Sequence, residues 1–121
     1  MRKGEIYRIK HRSRNPHMAV LLEDPADNGG LIEAAIFTHD NRHIQTMPEH
    51  FCEVNAVGQR YQFQWDKTYL VPWVFLKDPS IIIEPCIGCV TQAGMMFLKN
   101  KLNGIEPVIC DGPIWNYNPD K

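Results

Sequence analysis

Apolar residues recur along this chain in short runs separated by polar punctuation, the signature of strands rather than of helices. Residues 5–10 read as a strand, and residues 17–23 and 31–38 as the arms of a hairpin around Asp24-Pro25-Ala26-Asp27-Asn28-Gly29-Gly30. The inner parts of these arms, 18–22 and 31–37, are apolar on successive residues, which predicts central strands covered on both faces. Residues 60–65 alternate strictly, so Tyr61, Phe63 and Trp65 are expected on one face, with Asp66-Lys67 turning the chain. Residues 68–77 are apolar nearly throughout yet contain Pro72, which cannot donate to a ladder and so implies an edge or a bulge. An apolar edge is a pairing surface, and a homodimer is expected to cover it.

One helix stands out. Thr91 can cap it, Val90 and Met95 have the spacing of a hydrophobic staple, and Val90, Ala93, Gly94, Phe97, Leu98 and Leu102 form a stripe that ends before Gly104. Gly94 on that stripe permits close packing, and Met95 and Met96 widen it as extra core contact. Residues 105–110 read as a last strand. Residues 111–121 read as an extended tail whose Ile114, Trp115 and Tyr117 can dock. The pattern predicts one mainly β domain over residues 1–121, an antiparallel barrel or sandwich. The barrel is expected at about 4–84, the helix at about 91–103, and the final strand and tail at 105–121.

Composition adds limits. Hydrophobic content of 44% and charged content of 22% are globular values. A chain of 121 residues can bury somewhat under ~70% of its unfolded surface without a metal or disulfide. The N-terminal residues lack an apolar secretory core and the densest apolar run, 69–76, is too short to span a bilayer, so a cytoplasmic protein with no membrane partner is expected. Walker loops, GxSxG elbows and GxGxxG fingerprints are absent, which argues against nucleotide-dependent and serine-hydrolase chemistry.

Charge is unevenly spread. Residues 1–17 hold Arg2, Lys3, Arg8, Lys10, Arg12 and Arg14 against Glu5 alone, a net of +5 in a chain whose total is −1, which leaves −6 for the remainder. The loop His11-Arg12-Ser13-Arg14-Asn15-Pro16 is basic and nearly free of apolar residues. Such a segment suits an anionic partner, with RNA or another polyanion foremost and Arg8, Lys10, His11, Arg12 and Arg14 as the contacting residues. The alternative is a solvated basic loop with no ligand.

In this order of strands, loop and helix, the chain resembles the MazF/PemK family of SH3-like barrels, the toxins of bacterial toxin–antitoxin pairs. Gly4-Glu5-Ile6-Tyr7 stands where the family has a Gly-Asp-hydrophobic-aromatic opening, and residues 17–24 where it has Arg-Pro and a hydrophobic strand. Ala34-Ala35-Ile36-Phe37-Thr38 is similar to its strand ending in Thr, Ile44-Gln45-Thr46-Met47-Pro48 to the short extended piece after it, 65–77 to its later hairpin, and 91–102 to its helix. The resemblance covers about residues 4–103. It implies an SH3-like barrel, a homodimer, an antitoxin partner, no cofactor, and metal-independent endoribonuclease activity. The chain departs from the family where His17 and Met18 replace the Arg-Pro pair and where Phe37 delays Thr38 by one residue.

Metal-independent RNA cleavage needs a base for the 2′-hydroxyl, an acid for the leaving 5′-oxygen, and cationic or hydroxyl groups on the phosphate. His17 and His39 can act as acid and base, Thr38 can orient the phosphate, and Arg12 or Arg14 can supply charge. An imidazole in place of a guanidinium loses a permanent charge but gains a titratable group. The rival expectation is a barrel that binds without cleaving, with these residues as solvated polar groups at strand ends.

Cys86-Ile87-Gly88-Cys89 has the spacing of zinc knuckles and of thioredoxin-type redox pairs, just before a helix N-terminus. Zinc would need two more ligands, for which Cys110 with Cys52 or His50 is the obvious supply, so a small zinc-stabilised protein built on Cys86 and Cys89 is a third reading. In a reducing compartment Cys52, Cys86, Cys89 and Cys110 are otherwise expected as thiols. The His39-x3-His43 spacing is not expected to bind metal, because Asp40-Asn41 reads as a turn.

Overall fold

The computed structural model describes residues 1–10, 17–52 and 65–109, without the side chains of Asn28 and Trp65. The alternating residues 60–64, Cys110 and the 111–121 tail lie outside the described residues, as does the basic loop 11–16. Within them the chain is mainly β with one C-terminal helix, as the pattern predicts. The strands are β1 (Glu5–Ile9), β2 (Met18–Leu21), β3 (Ile32–Thr38), β4 (Ile44–Gln45), β5 (Tyr69–Lys77), β6 (Ile82–Cys89) and β7 (Val108–Ile109), and α1 spans Gln92–Lys101. They form one sheet in the order β4-β5-β3-β2-β1-β6, with β7 also on β5. Every pairing is antiparallel except β5 with β7.

Burial explains why the hairpin arms lie in the middle of the sheet. All four residues of β2 are buried, and β3 is buried at Ile32 and from Ala34 to Phe37. Alternation divides these side chains between two apolar clusters. Tyr7, Ile9, Leu21, Trp73 and Phe75 belong to the first, and Ile6, Val20, Phe37, Leu70 and Leu98 to the second. Burying one such Leu or Phe contributes about 1.5–3 kcal/mol, so a sheet covered on both sides is favoured over one with a solvated face.

Pro72 sits in a bulge. Ala35 pairs with Val74 but Ile36 with Val71, which leaves Pro72 and Trp73 extra on β5. On the other side of β5, β4 pairs at Tyr69 and Leu70 and β7 at Phe75 and Leu76, so the proline falls between them and breaks no ladder bond. Asp66 and Lys67 turn the chain as expected. Trp65 begins that 3-10 turn instead of ending a strand. β6 is an element the sequence pattern did not reveal, because Pro85 and Gly88 interrupt its apolar residues; the Glu84–Pro85 peptide is cis and lies within the register shift against β1.

Residues 44–52 connect the two sides of the molecule. Their start pairs with β5, where Thr46 Oγ1 donates to the Thr68 carbonyl at 2.6 Å between two fully buried threonines. Their end meets the chain just after β6: Phe51 bridges Val90, Cys52 N–H donates to the Cys89 carbonyl at 3.1 Å, and Thr91 N–H donates to the His50 carbonyl at 2.9 Å. The sheet itself is not closed, so the mainly β class holds while a barrel does not follow from the ladder.

Helix α1 forms where the staple and cap place it. Thr91 Oγ1 accepts from Gly94 N–H at 3.1 Å and donates to the Glu49 carbonyl at 2.6 Å, satisfying one of the amide groups orphaned at a helix start. Leu98 and Leu102 dock on the second cluster. Gly94 approaches the backbone of His50 so closely that a Cβ built on it would lie 2.2 Å from the His50 carbonyl oxygen. Met96 is 65% exposed and does not join the core, since the buried line follows the i, i+4 spacing of Gly94 and Leu98 and Met96 projects away from it.

Candidate functional site

Antiparallel pairing gathers several of the polar residues at one end of the sheet. The β2–β3 ladder ends at Met18 with Phe37, so the next residues outward on the two strands are His17 and Thr38. Alternation puts His17 on the face of Ala19 and Leu21, and Thr38 on the face of Ile36 and Ala34, which is the same face of the sheet. Both are half-buried. Ile9 N–H donates to the His17 carbonyl at 2.9 Å, and Lys10 N–H to the Ile81 carbonyl at 2.9 Å, so exposed Lys10 stands at this end as well. Arg8 lies one step inside, paired with Met18 and half-buried.

Local hydrogen bonds set the chemical state of two groups. His39 Nδ1 lies 2.6 Å from the Lys67 carbonyl oxygen. A carbonyl can only accept, so Nδ1 carries the hydrogen and the lone pair of the neutral ring sits on Nε2. Thr38 Oγ1 accepts from Asp40 N–H at 3.2 Å, which leaves the hydroxyl proton for donation elsewhere. The Asp40 carboxylate is engaged by the Arg42 guanidinium and backbone N–H, which hold its pKa well below the usual carboxylate range. Asp40 N–H also bonds Thr38, and His43 N–H donates to the Asp40 carbonyl at 3.4 Å, so residues 39–43 form the expected turn.

Two of the basic residues of the N-terminal segment are not at this end. Arg2 and Lys3 lie at the opposite end of β1, where Lys3 N–H donates to Asp24 Oδ1 at 2.7 Å and Arg2 N–H to Glu5 Oε1. Gly4, at φ +88°, turns the chain there, donating to the Leu21 carbonyl and accepting from Val90 N–H. His11, Arg12 and Arg14 fall outside the described residues. Arg2 and Lys3 are thus separated from Lys10 by the length of β1, with the His17–Thr38 pair at the Lys10 end. The Lys67 carbonyl that fixes the His39 ring has no sequence signature, because any residue could supply it.

The cysteines are arranged differently from the Cys-x-x-Cys expectation. Cys86 Sγ–H donates to the Gly88 carbonyl at 2.9 Å, and burial pushes its thiol pKa up. Cys89 instead has Cys52 as its sulfur neighbour, Sγ to Sγ 3.1 Å. Among the described residues no three His, Cys, Asp or Glu side chains come together as a metal site.

A cleft of about 310 Å³ opens between the sheet and the C-terminal end of α1, lined by Leu22, Glu33, Val74, Leu98, Leu102 and Ile105 among others. None of the candidate catalytic or nucleic-acid-binding residues named from the sequence is among the residues that line it. Its charged lining residues are Glu23, Glu33 and Lys99, and burial and nearby Glu23 push the Glu33 carboxyl up in pKa.

Against known proteins, the chain matches no family model and no curated protein. No helix among the described residues is long and apolar enough to cross a membrane.

Proposed function

We propose that this protein contacts RNA at the sheet end carrying His17, Thr38 and His39 and cleaves it without a metal, as the MazF/PemK resemblance implies. The observation that carries the reading is the juxtaposition of His17 and Thr38 on one face just beyond the Met18–Phe37 pair, with the oriented ring of His39 next in the chain. His39 Nε2 takes the proton of the 2′-hydroxyl, and the 2′-oxygen attacks phosphorus. Protonated His17 returns a proton to the departing 5′-oxygen. Thr38 donates its hydroxyl to a non-bridging oxygen, and Lys10, Arg12 and Arg14 offset the charge of the phosphate. The products are a 2′,3′-cyclic phosphate and a 5′-hydroxyl. The nearly continuous apolar run of β5 supports pairing with a second copy of the chain.

The test is incubation of purified protein with end-labelled single-stranded RNA in excess EDTA over a range of salt. Cleavage to cyclic-phosphate ends is expected, with affinity that falls steeply as salt rises because phosphate contacts release counterions. Salt-sensitive binding without cleavage would assign the sheet end to a binding module. Intact RNA together with salt-insensitive or absent binding would overturn the proposal.

A further inference from the structure

Cys52 and Cys89 lie 37 positions apart in sequence, yet their sulfurs are 3.1 Å apart. The backbone enforces this approach. Cys52 N–H donates to the Cys89 carbonyl, and the flanking Phe51–Val90 bridge and Thr91–His50 hydrogen bond hold the two chain segments in fixed register. A disulfide needs sulfurs about 2.05 Å apart, so closure requires a movement of about 1 Å, within reach of a side-chain rotation. Both residues are half-buried, which leaves room for a small reagent. Cys86 is a poorer participant, since its thiol is bonded to the Gly88 carbonyl and burial holds it protonated.

We propose that Cys52 and Cys89 are a disulfide-forming site, oxidised by exchange with a low-molecular-weight disulfide. One cysteine thiolate attacks a sulfur of the reagent, breaking its S–S bond and releasing one thiolate. The second cysteine then attacks the protein sulfur of the mixed disulfide, forming the Cys52–Cys89 bond and expelling the second thiolate. The two thiol protons pass to the two leaving thiolates. The protein loses two electrons and the reagent gains them as two thiols. The new bond fixes the end of the 44–52 segment to the end of β6, joining across the gap that the sheet leaves unclosed.

The experiment exposes the full chain to oxidised glutathione, followed by non-reducing peptide mass spectrometry and thermal unfolding. The expected result is the loss of two hydrogens' mass, a peptide linking Cys52 to Cys89, and a Tm higher by about 10 °C that dithiothreitol reverses, in keeping with closure of a loop of this length. Cys52→Ser and Cys89→Ser should each abolish the linked peptide and the Tm shift, and Cys86→Ser should keep both. The wild-type peptide map stands even if a variant fails to fold. A bond from Cys89 to Cys86 or to Cys110, glutathione adducts without an internal bond, or an unreacted protein would overturn the proposal.

Discussion

The sheet end at His17, Thr38 and His39 and the seam where residues 44–52 meet β6 and α1 are both built from polar groups beside the same sheet, but they differ in how those groups are spent. At the seam, nearly every group is committed to holding structure. Thr91 caps α1 and reaches Glu49, the His50 carbonyl takes the Thr91 amide, and the His50 ring stacks on Phe97 at 4.2 Å. At the sheet end, His39 uses one ring nitrogen for orientation and keeps the other, and Thr38 accepts one hydrogen bond and keeps its proton. A group with residual bonding capacity, held by a partner that fixes its direction, is what proton transfer requires. The difference teaches that in this molecule histidine content is a poor guide to chemistry, and that what each ring nitrogen already does is a better one.

Substitutions should separate the two regions. His39→Ala is expected to slow RNA cleavage by about 10²–10⁴-fold, or about 3–5 kcal/mol of activation free energy. Its unfolding free energy should change by about 1 kcal/mol or less, since one exposed hydrogen bond is lost; single-turnover kinetics and urea titration measure the two. Gly94→Ala should do the reverse. Its Cβ would collide with the His50 carbonyl and with Val90 Cβ, costing roughly 3 kcal/mol in urea unfolding while any surviving folded fraction keeps the sheet end intact. Thr91→Ala removes the cap and should cost about 1 kcal/mol.

The smallest effect is expected from pH. Burial lowers the pKa of His50, whose Nδ1 accepts from Met47 N–H at 3.1 Å, an acceptor that protonation would remove. With the folded pKa below the unfolded value, the unfolded chain binds more protons in between, so this group's contribution is complete above about pH 6.5 and fades as pH falls below it. Thermal unfolding from pH 7.5 to 5 should show a modest fall in Tm that His50→Gln reduces.

Much of this architecture was legible in the sequence, and the parts that were not have identifiable causes. The central hairpin showed itself because both faces of β2 and β3 are apolar, and the missing amide of Pro72 implied an edge or a bulge, of which the structure has the bulge. The α1 cap followed from Thr91. β6 was hidden because Pro85 and Gly88 mimic breakers, and the core contact expected of Met96 fails because its helical angle turns it outward. Of the candidate site, the shared position of His17 and Thr38 was legible only as strand ends, since register between strands is a long-range property. The orientation of His39 by a main-chain carbonyl and the pairing of Cys89 with Cys52 instead of Cys86 carry no local signal at all, because each depends on residues 28 and 37 positions distant.

The most direct measurement places both regions in one spectrum: the imidazole resonances of His17, His39 and His50, assigned by single substitution and followed by NMR while a single-stranded RNA oligonucleotide is added. RNA contact at the sheet end predicts that the His17 and His39 signals shift, that His50 stays in place, and that the shifts vanish at high salt. Signals of His17 and His39 that do not move at saturating RNA, or a shift confined to His50, would contradict it.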